Sequence, residues 1–255
     1  VTGFSHVADE YDRIGQQYQE SKRLPFRSFV EEHSMFKLLP DLAGLSVVDL
    51  ACGEGIYARK LMRAGAGRVV GVDISPEMIA LAERAEAARP LGVRYVVADV
   101  ATVELDERFD IALCAYLFNY ARSRAELRSL VENVRRLVRP GGLVVGCNDY
   151  PDNPSAHFDR YRRYGFIKLG AAEPDEGDTI TYRFFNPDET AFEIDNYFLS
   201  TDVYRHEFAR AGFTSFEWVM PEASPEGLQA VPPGYWDAYL ESPPIVSFTA
   251  TAAMT

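Results

Sequence analysis

Between Asp49 and Asp73 the chain reads DLACGEGIYARKLMRAGAGRVVGVD, two carboxylates bracketing a turn that carries Gly53 and Gly55. Glycines at this spacing let the backbone turn tightly and approach a ligand that a Cβ would push away. Asp73, at the tip of the following apolar run, is placed to accept hydrogen bonds from a ribose diol. A dinucleotide fingerprint wants a third glycine, and Ala58 stands there, which the looser pattern tolerates. Asp49 discriminates better. Just before the turn it would repel a pyrophosphate, and it suits a ligand with a positive amino or sulfonium group. The expected ligand is built on a nucleoside.

These residues need a frame. An apolar run, Leu45–Leu50, the glycine turn, a helix-like segment (Ile56–Ala64) and a second run, Val69–Val72, make one βαβ unit with its ligand site at the carboxyl ends of the strands. Ser75 is a natural helix N-cap, with Pro76 first in the helix and an apolar stripe of Met78, Ile79, Leu81 and Ala82. Val93–Ala98 predicts a third strand with Asp99 at its tip. Phe109–Leu113 predicts a fourth, buried on both faces, which delivers Cys114–Tyr120 to the ligand edge. A helix over Ala125–Val138 leads through Arg139–Gly142 into strand five, Leu143–Cys147, ending in Asn148 and Asp149.

The landmarks resemble those of the class I S-adenosylmethionine-dependent methyltransferases. Their first motif stands as Asp49-Leu50-Ala51-Cys52-Gly53-Glu54-Gly55, the second as Gly71-Val72-Asp73-Ile74-Ser75, the third as Ala98-Asp99-Val100, and the turn before strand five as Pro140-Gly141-Gly142. The resemblance implies an α/β, Rossmann-like, seven-stranded and mostly parallel sheet. Its implied order is 3-2-1-4-5-7-6, with strand 7 antiparallel and helices on both faces. It also implies S-adenosylmethionine as cofactor, held by Asp49, Ala51, Gly53, Gly55, Asp73, Ile74, Met78, Asp99, Val100, Ala115 and Tyr116. In that scheme Asp99 accepts the adenine amino group and the Val100 N–H answers the ring nitrogen. Ala115 and Tyr116 meet the methionine part. The leading segment, with Tyr11 and Tyr18, resembles a helix that closes over the cofactor, and Lys22 and Arg23 are candidates for its carboxylate.

Four sections are expected within one overall domain: a helical lid over 1–40, the cofactor core over 41–150, an aromatic-rich insertion over 151–200, and a completion of the sheet over 201–255. The lid pattern continues through Phe26, Phe29, Val30, His33 and Phe36. In the insertion, Thr179–Phe185 and Ala191–Leu199 predict a β-hairpin whose aromatics cap a flat substrate. Thr201–Ala211 predicts a capped helix stopped by Gly212, followed by an antiparallel strand pair, Phe213–Val219 and Val246–Ala252.

Acids exceed bases by 12 in 255 residues, which disfavours a nucleic acid or an anionic membrane as partner. No apolar run approaches the roughly 18–20 residues of a membrane span. Cys52, Cys114 and Cys147 have no metal-like spacing and read as reduced core thiols of a cytoplasmic protein. A monomer or homodimer and no resident metal are expected.

Tyr116, Asn119, Tyr120, Asn148 and Asp149 are the substrate-side candidates. Methyl transfer from a sulfonium is an in-line displacement that needs mainly proximity and orientation, and a base only if the acceptor must lose a proton. Tyr18, His33, Tyr120 and Asp149 are the candidates for that role, with His157 beside them, and the sequence selects none. The expected reaction methylates a nitrogen or oxygen of a small, flat, heteroaromatic metabolite. Scattered positions such as Phe109-Asp110, Tyr116-Leu117 and Pro243-Pro244 resemble the toxoflavin-pathway N-methyltransferases, which act on an azapteridine. The alternatives are a nicotinamide-binding Rossmann enzyme, which Asp49 disfavours, and a non-catalytic protein on the same fold.

Overall fold

The computed structural model describes residues 21–186 and 190–254. Tyr11 and Tyr18, and with them the first half of the expected lid, lie outside the described residues. A π-helical segment, Arg27–Glu32, opens into a short helix α1 (His33–Phe36). The sequence expectation was a regular amphipathic helix through this stretch. The wider π turn puts Arg27, Val30 and Glu31 on the buried side together.

The core alternates β1 (Ser46–Leu50), α2 (Ile56–Arg63), β2 (Arg68–Asp73), α3 (Pro76–Ala88), β3 (Arg94–Val97), β4 (Phe109–Ala115), α4 (Arg124–Leu137) and β5 (Val138–Asp149). These five strands pair in parallel, as unbroken apolar runs covered on both faces must. All of β1 is buried, Asp49 included. Ser75 caps α3 by accepting the Met78 N–H at 3.2 Å, with Pro76 at the first helical position, a device worth about 1 kcal/mol.

After the core come β6 (Phe166–Leu169), β7 (Thr179–Phe185), β8 (Ala191–Tyr197), α5 (Thr201–Arg210), β9 (Phe213–Val219), α6 (Pro225–Gln229), α7 (Asp237–Glu241) and β10 (Ile245–Ala252). The main sheet runs β3-β2-β1-β4-β5-β10-β9, with β10 antiparallel to both neighbours. That is the expected order and the expected antiparallel strand, since β9 and β10 are its sixth and seventh members. β6, β7 and β8 form a separate antiparallel sheet.

Three local readings change. Arg139–Gly142 is not a loop ahead of strand five but a bulge inside it: Val138 pairs with Phe109 and Leu143 with Ile111. Gly141 takes φ +72° there. The insertion carries a third strand, β6, and a long 3-10 segment, Ser155–Tyr164, that the proline-rich sequence hid. Ser200 precedes α5 without a side-chain cap.

The small sheet stacks its aromatics in a ladder. Phe166 lies 5.5 Å from Tyr161 and 5.4 Å from Tyr182, and Phe184 lies 5.2 Å from Phe192, all with nearly parallel rings. Phe26 of the leading segment packs 4.9 Å from Phe166, which ties that segment to the insertion. Such ring pairs add about 0.5–1.5 kcal/mol each beyond burial. Among the described residues, no helix is long and apolar enough to cross a membrane.

Candidate functional site

The turn after β1 is held open by strain and by one carboxylate. Ala51 takes φ +62°, Gly53 +54° and Gly55 +76°. Asp73 ties the turn to the next helix: one oxygen accepts the Gly53 N–H at 2.7 Å and the other the Ser75 N–H at 2.9 Å. Each oxygen keeps a lone pair for a ligand hydroxyl. Burial raises the Asp73 carboxyl above its ordinary range, and these two N–H groups oppose that.

Asp49 is different. It is 1 % exposed, and neither carboxylate oxygen meets a donor in hydrogen-bonding geometry. Burial and the neighbouring Asp73 push its pKa up to about 7, with the Ala58 backbone N–H opposing only in part. A buried unpaired carboxylate is costly. A ligand ammonium or sulfonium placed beside it would supply the missing partner.

Above the turn lies a cavity of about 110 Å3, lined by Ala51, Gly53, Ala115 and Tyr116 of the expected residues. A Cβ on Gly53 would meet nothing within 4 Å, so the backbone there faces open space. Lys22, Arg27, Glu32, Tyr57 and Lys60 complete the wall. Of the two basic residues expected near the cofactor, Lys22 lines the cavity and Arg23 is exposed, and Arg27, four residues on, lines it as well. Ile74, Met78, Asp99 and Val100 are not among the residues that line this cavity. Met78 is buried in the core, and Ile74 packs against that core. Asp99 accepts the Ala101 N–H at 2.8 Å in its own turn, and Val100 is buried with its carbonyl accepting from Asn133.

Tyr116 carries the strand end into a second space. It takes φ +61°, and its N–H donates to the Cys147 carbonyl at 2.8 Å. Strained non-glycine residues of this kind cluster at ligand sites. Its hydroxyl donates to Glu31, which also pairs with Arg27 at 3.1 Å, and the Arg27 guanidinium lies 5.0 Å from the Tyr116 ring centre. Burial raises the Glu31 carboxyl, and Arg27 beside it opposes the rise. Arg27 and Tyr116 also line a narrow cleft of only about 20 Å3, with Tyr120, Tyr182, Phe184 and Asn196. This inner cleft adjoins the first cavity through those two shared residues.

The other expected substrate residues divide. Tyr120 lines the cleft. Asn119 is buried beside it and donates to Asn196 at 2.6 Å, leaving its own carbonyl oxygen without a donor. Asn148 turns away, donating to the Tyr204 hydroxyl at 3.1 Å on the α5 side of the sheet. Asp149 lies between Tyr182, whose hydroxyl donates to it at 2.5 Å, and Lys168, paired with it at 2.6 Å. The base candidate His33 is committed to Glu222 at 3.1 Å near the surface, and His157 to Ser242 at 2.8 Å, so both stand outside the walls of the cavity and cleft.

Arg27, Glu31 and Lys168 escaped the sequence reading, whereas Tyr182 was among the hairpin aromatics expected to cap the substrate. Arg27 and Glu31 sit four apart on the face that carries Phe26 and Val30, so their spacing was a usable signal. Lys168 offered none, because β6 is four residues long and its partner is on another sheet.

A methyltransferase-domain family matches residues 47–142. A curated relative, the demethylmenaquinone methyltransferase of Thermus thermophilus, is 32% identical over 168 residues, 65% of this chain and 72% of that protein. The ubiquinone biosynthesis O-methyltransferase of Stutzerimonas stutzeri is 29% identical over 56% of this chain and 55% of that one. An S-adenosylmethionine-dependent methyltransferase from Mesorhizobium loti superposes with a TM-score of 0.62 at 18% identity, covering 91% of this chain and 99% of that one.

Proposed function

Because the chain belongs to the class I S-adenosylmethionine-dependent methyltransferases, we propose that it methylates an oxygen or nitrogen on a small, flat aromatic or heteroaromatic acceptor seated in the inner cleft. The cofactor supplies a methyl group on a sulfonium, already activated for displacement. The dinucleotide and non-catalytic alternatives fall with the family assignment. What the chain adds is orientation and exclusion of water.

The observation that carries this reading is the sharing of Arg27 and Tyr116 between the two spaces. A ligand in the cavity and an acceptor in the cleft would meet there, at the carboxyl end of β4. Asp49 faces the cationic part of the cofactor, and Lys22 and Arg27 its carboxylate. Tyr120, Tyr182 and Phe184 give the cleft aromatic walls suited to a ring, and the Asn119 oxygen offers an acceptor to a ring N–H or O–H. The cleft is narrow, so admitting a ring requires the β7–β8 hairpin to move outward from Tyr116. One curated relative is named for demethylmenaquinone and the other for O-methylation in ubiquinone biosynthesis, which supports a flat ring as acceptor.

The test is transfer of a labelled methyl group from S-adenosylmethionine to a panel of 4-methylcatechol, 1,4-naphthohydroquinone, lumazine and, as an aliphatic control, cyclohexylamine. Label on a flat ring and none on the control supports the reading. Label on the aliphatic amine alone would overturn it.

A further inference from the structure

Behind the inner cleft lies an outer cavity of about 270 Å3, lined by Asp149, Asn153, Phe158, Lys168 and Phe198 among others. One wall separates the two spaces. Tyr182 lines the cleft, its hydroxyl donates to Asp149 Oδ1 at 2.5 Å, and Lys168 Nζ lies 2.6 Å from the same oxygen. Lys168 is 2 % exposed and also donates to Asn153 Oδ1 at 3.1 Å. A buried lysine is rare unless paired, and an ion pair in this setting is weak evidence for stability alone.

We propose that Tyr182, Asp149 and Lys168 form a proton path that carries the proton lost by the acceptor from the inner cleft to the outer cavity. The inference rests on the acceptor reading above. As the acceptor's lone pair bonds to the methyl carbon, the carbon–sulfur bond breaks and its electron pair stays on sulfur. The acceptor's O–H or N–H bond breaks in turn. Its proton passes to the Tyr182 oxygen while Tyr182 hands its own to Asp149. Lys168 releases a proton to water in the outer cavity and takes the one from Asp149. The three groups end as they began, and one proton has crossed the wall.

The surroundings favour transfer through this line. Burial lowers the Lys168 ammonium toward release, opposed by Asp149, and burial raises the Tyr182 phenol so that it stays protonated at rest. Tyr161 from the 3-10 segment and Tyr239 from α7 face the group as neutral phenols, each held above the ordinary range by burial. Tyr204 of α5 stands on the other face of the sheet, where it meets Asn148, and burial raises it too. Asp152 and Glu173 line the outer cavity and attract a departing proton. His157 reaches Ser242 rather than the pair.

The experiment uses 4-nitrocatechol, whose ionisation is visible, bound to the full chain with S-adenosylhomocysteine present. A rapid pH jump then reads how fast the bound probe loses its proton. Lys168→Met is expected to slow that step at least tenfold with probe affinity within about twofold of wild type, and Tyr182→Phe to slow it at least tenfold at saturating probe. Lys168→Arg keeps the ion pair but holds its proton, and is expected to be as slow as Lys168→Met while melting like the wild type. A merely structural lysine would leave the arginine variant fast. Unchanged rates in Tyr182→Phe at saturating probe would overturn the path and leave the acceptor reading standing. Failure of 4-nitrocatechol to bind at all would overturn both.

Discussion

Asp49 and Asp73 end adjacent parallel strands as buried carboxylates, and only one of them is satisfied. Asp73 accepts two backbone N–H groups, at 2.7 and 2.9 Å, whereas both oxygens of Asp49 are without a donor. Asp73 builds the turn. Asp49 waits for a cation.

Removing that waiting charge should stabilise the ligand-free protein. Asp49 ionises in the fold near pH 7 against an ordinary 3.8. Between those values the native state holds a proton that the unfolded chain has lost, so stability falls as pH rises toward 7 and stays lower above it. A neutral amide at this position would carry no such penalty. Asp49→Asn should therefore melt several degrees above wild type at pH 8, at roughly 2–4 °C per kcal/mol, with a smaller gap at pH 5. Thermal melts without cofactor at the two pH values check this, and a gap independent of pH would show that the acid is not buried as a charge.

The two turn glycines should fail in different ways. A Cβ on Gly55 would lie 2.3 Å from the Tyr95 hydroxyl oxygen, while one on Gly53 would meet nothing within 4 Å. Gly55→Ala should lose about 2–4 kcal/mol, combining overpacking with the left-handed backbone. Gly53→Ala should lose only about 1–2 kcal/mol from the backbone term, yet weaken S-adenosylhomocysteine at least tenfold by filling the cavity wall. Urea melts and titrations of both variants separate the effects. Equal affinity loss in the two would mean that Gly53 does not face the ligand.

Arg27 and Glu31 should behave as one unit. Glu31→Ala strands a buried guanidinium and should cost about 3–5 kcal/mol. The double change Arg27→Met with Glu31→Leu should recover most of that stability while reducing cofactor affinity. Urea unfolding of single and double variants reads the coupling. Additive losses would show that the pair does not share one buried environment.

What could be read from the sequence was whatever repeats locally. Strands β1, β2 and β4 announce themselves as apolar runs, Ser75-Pro76 as a cap, and Gly53 and Gly55 as a turn, because each rests on neighbours within a few residues. The sheet order came with the resemblance. Residues whose surroundings depend on a distant partner could not be placed from neighbours in the sequence. Asn148 and Asp149 stand side by side at the tip of β5, where a strand points alternate residues to opposite faces, so one meets Tyr204 and the other Tyr182. Arg23 was singled out and Arg27 was not, and the π turn buries Arg27 while Arg23 stays exposed. Lys168 has no local pattern at all; its role follows from β6 joining the small sheet.

Calorimetric titration of S-adenosylhomocysteine into the wild type and Asp49→Asn, at pH 8 and at pH 6, tests the centre of the account. With Asp49 ionising near pH 7 and pairing with the ligand's ammonium, wild-type affinity should fall about tenfold between the two pH values. Asp49→Asn should bind weakly at both, with no slope. Equal wild-type affinity at pH 8 and pH 6, or the same slope in Asp49→Asn, would contradict the account and place the cation of the ligand elsewhere.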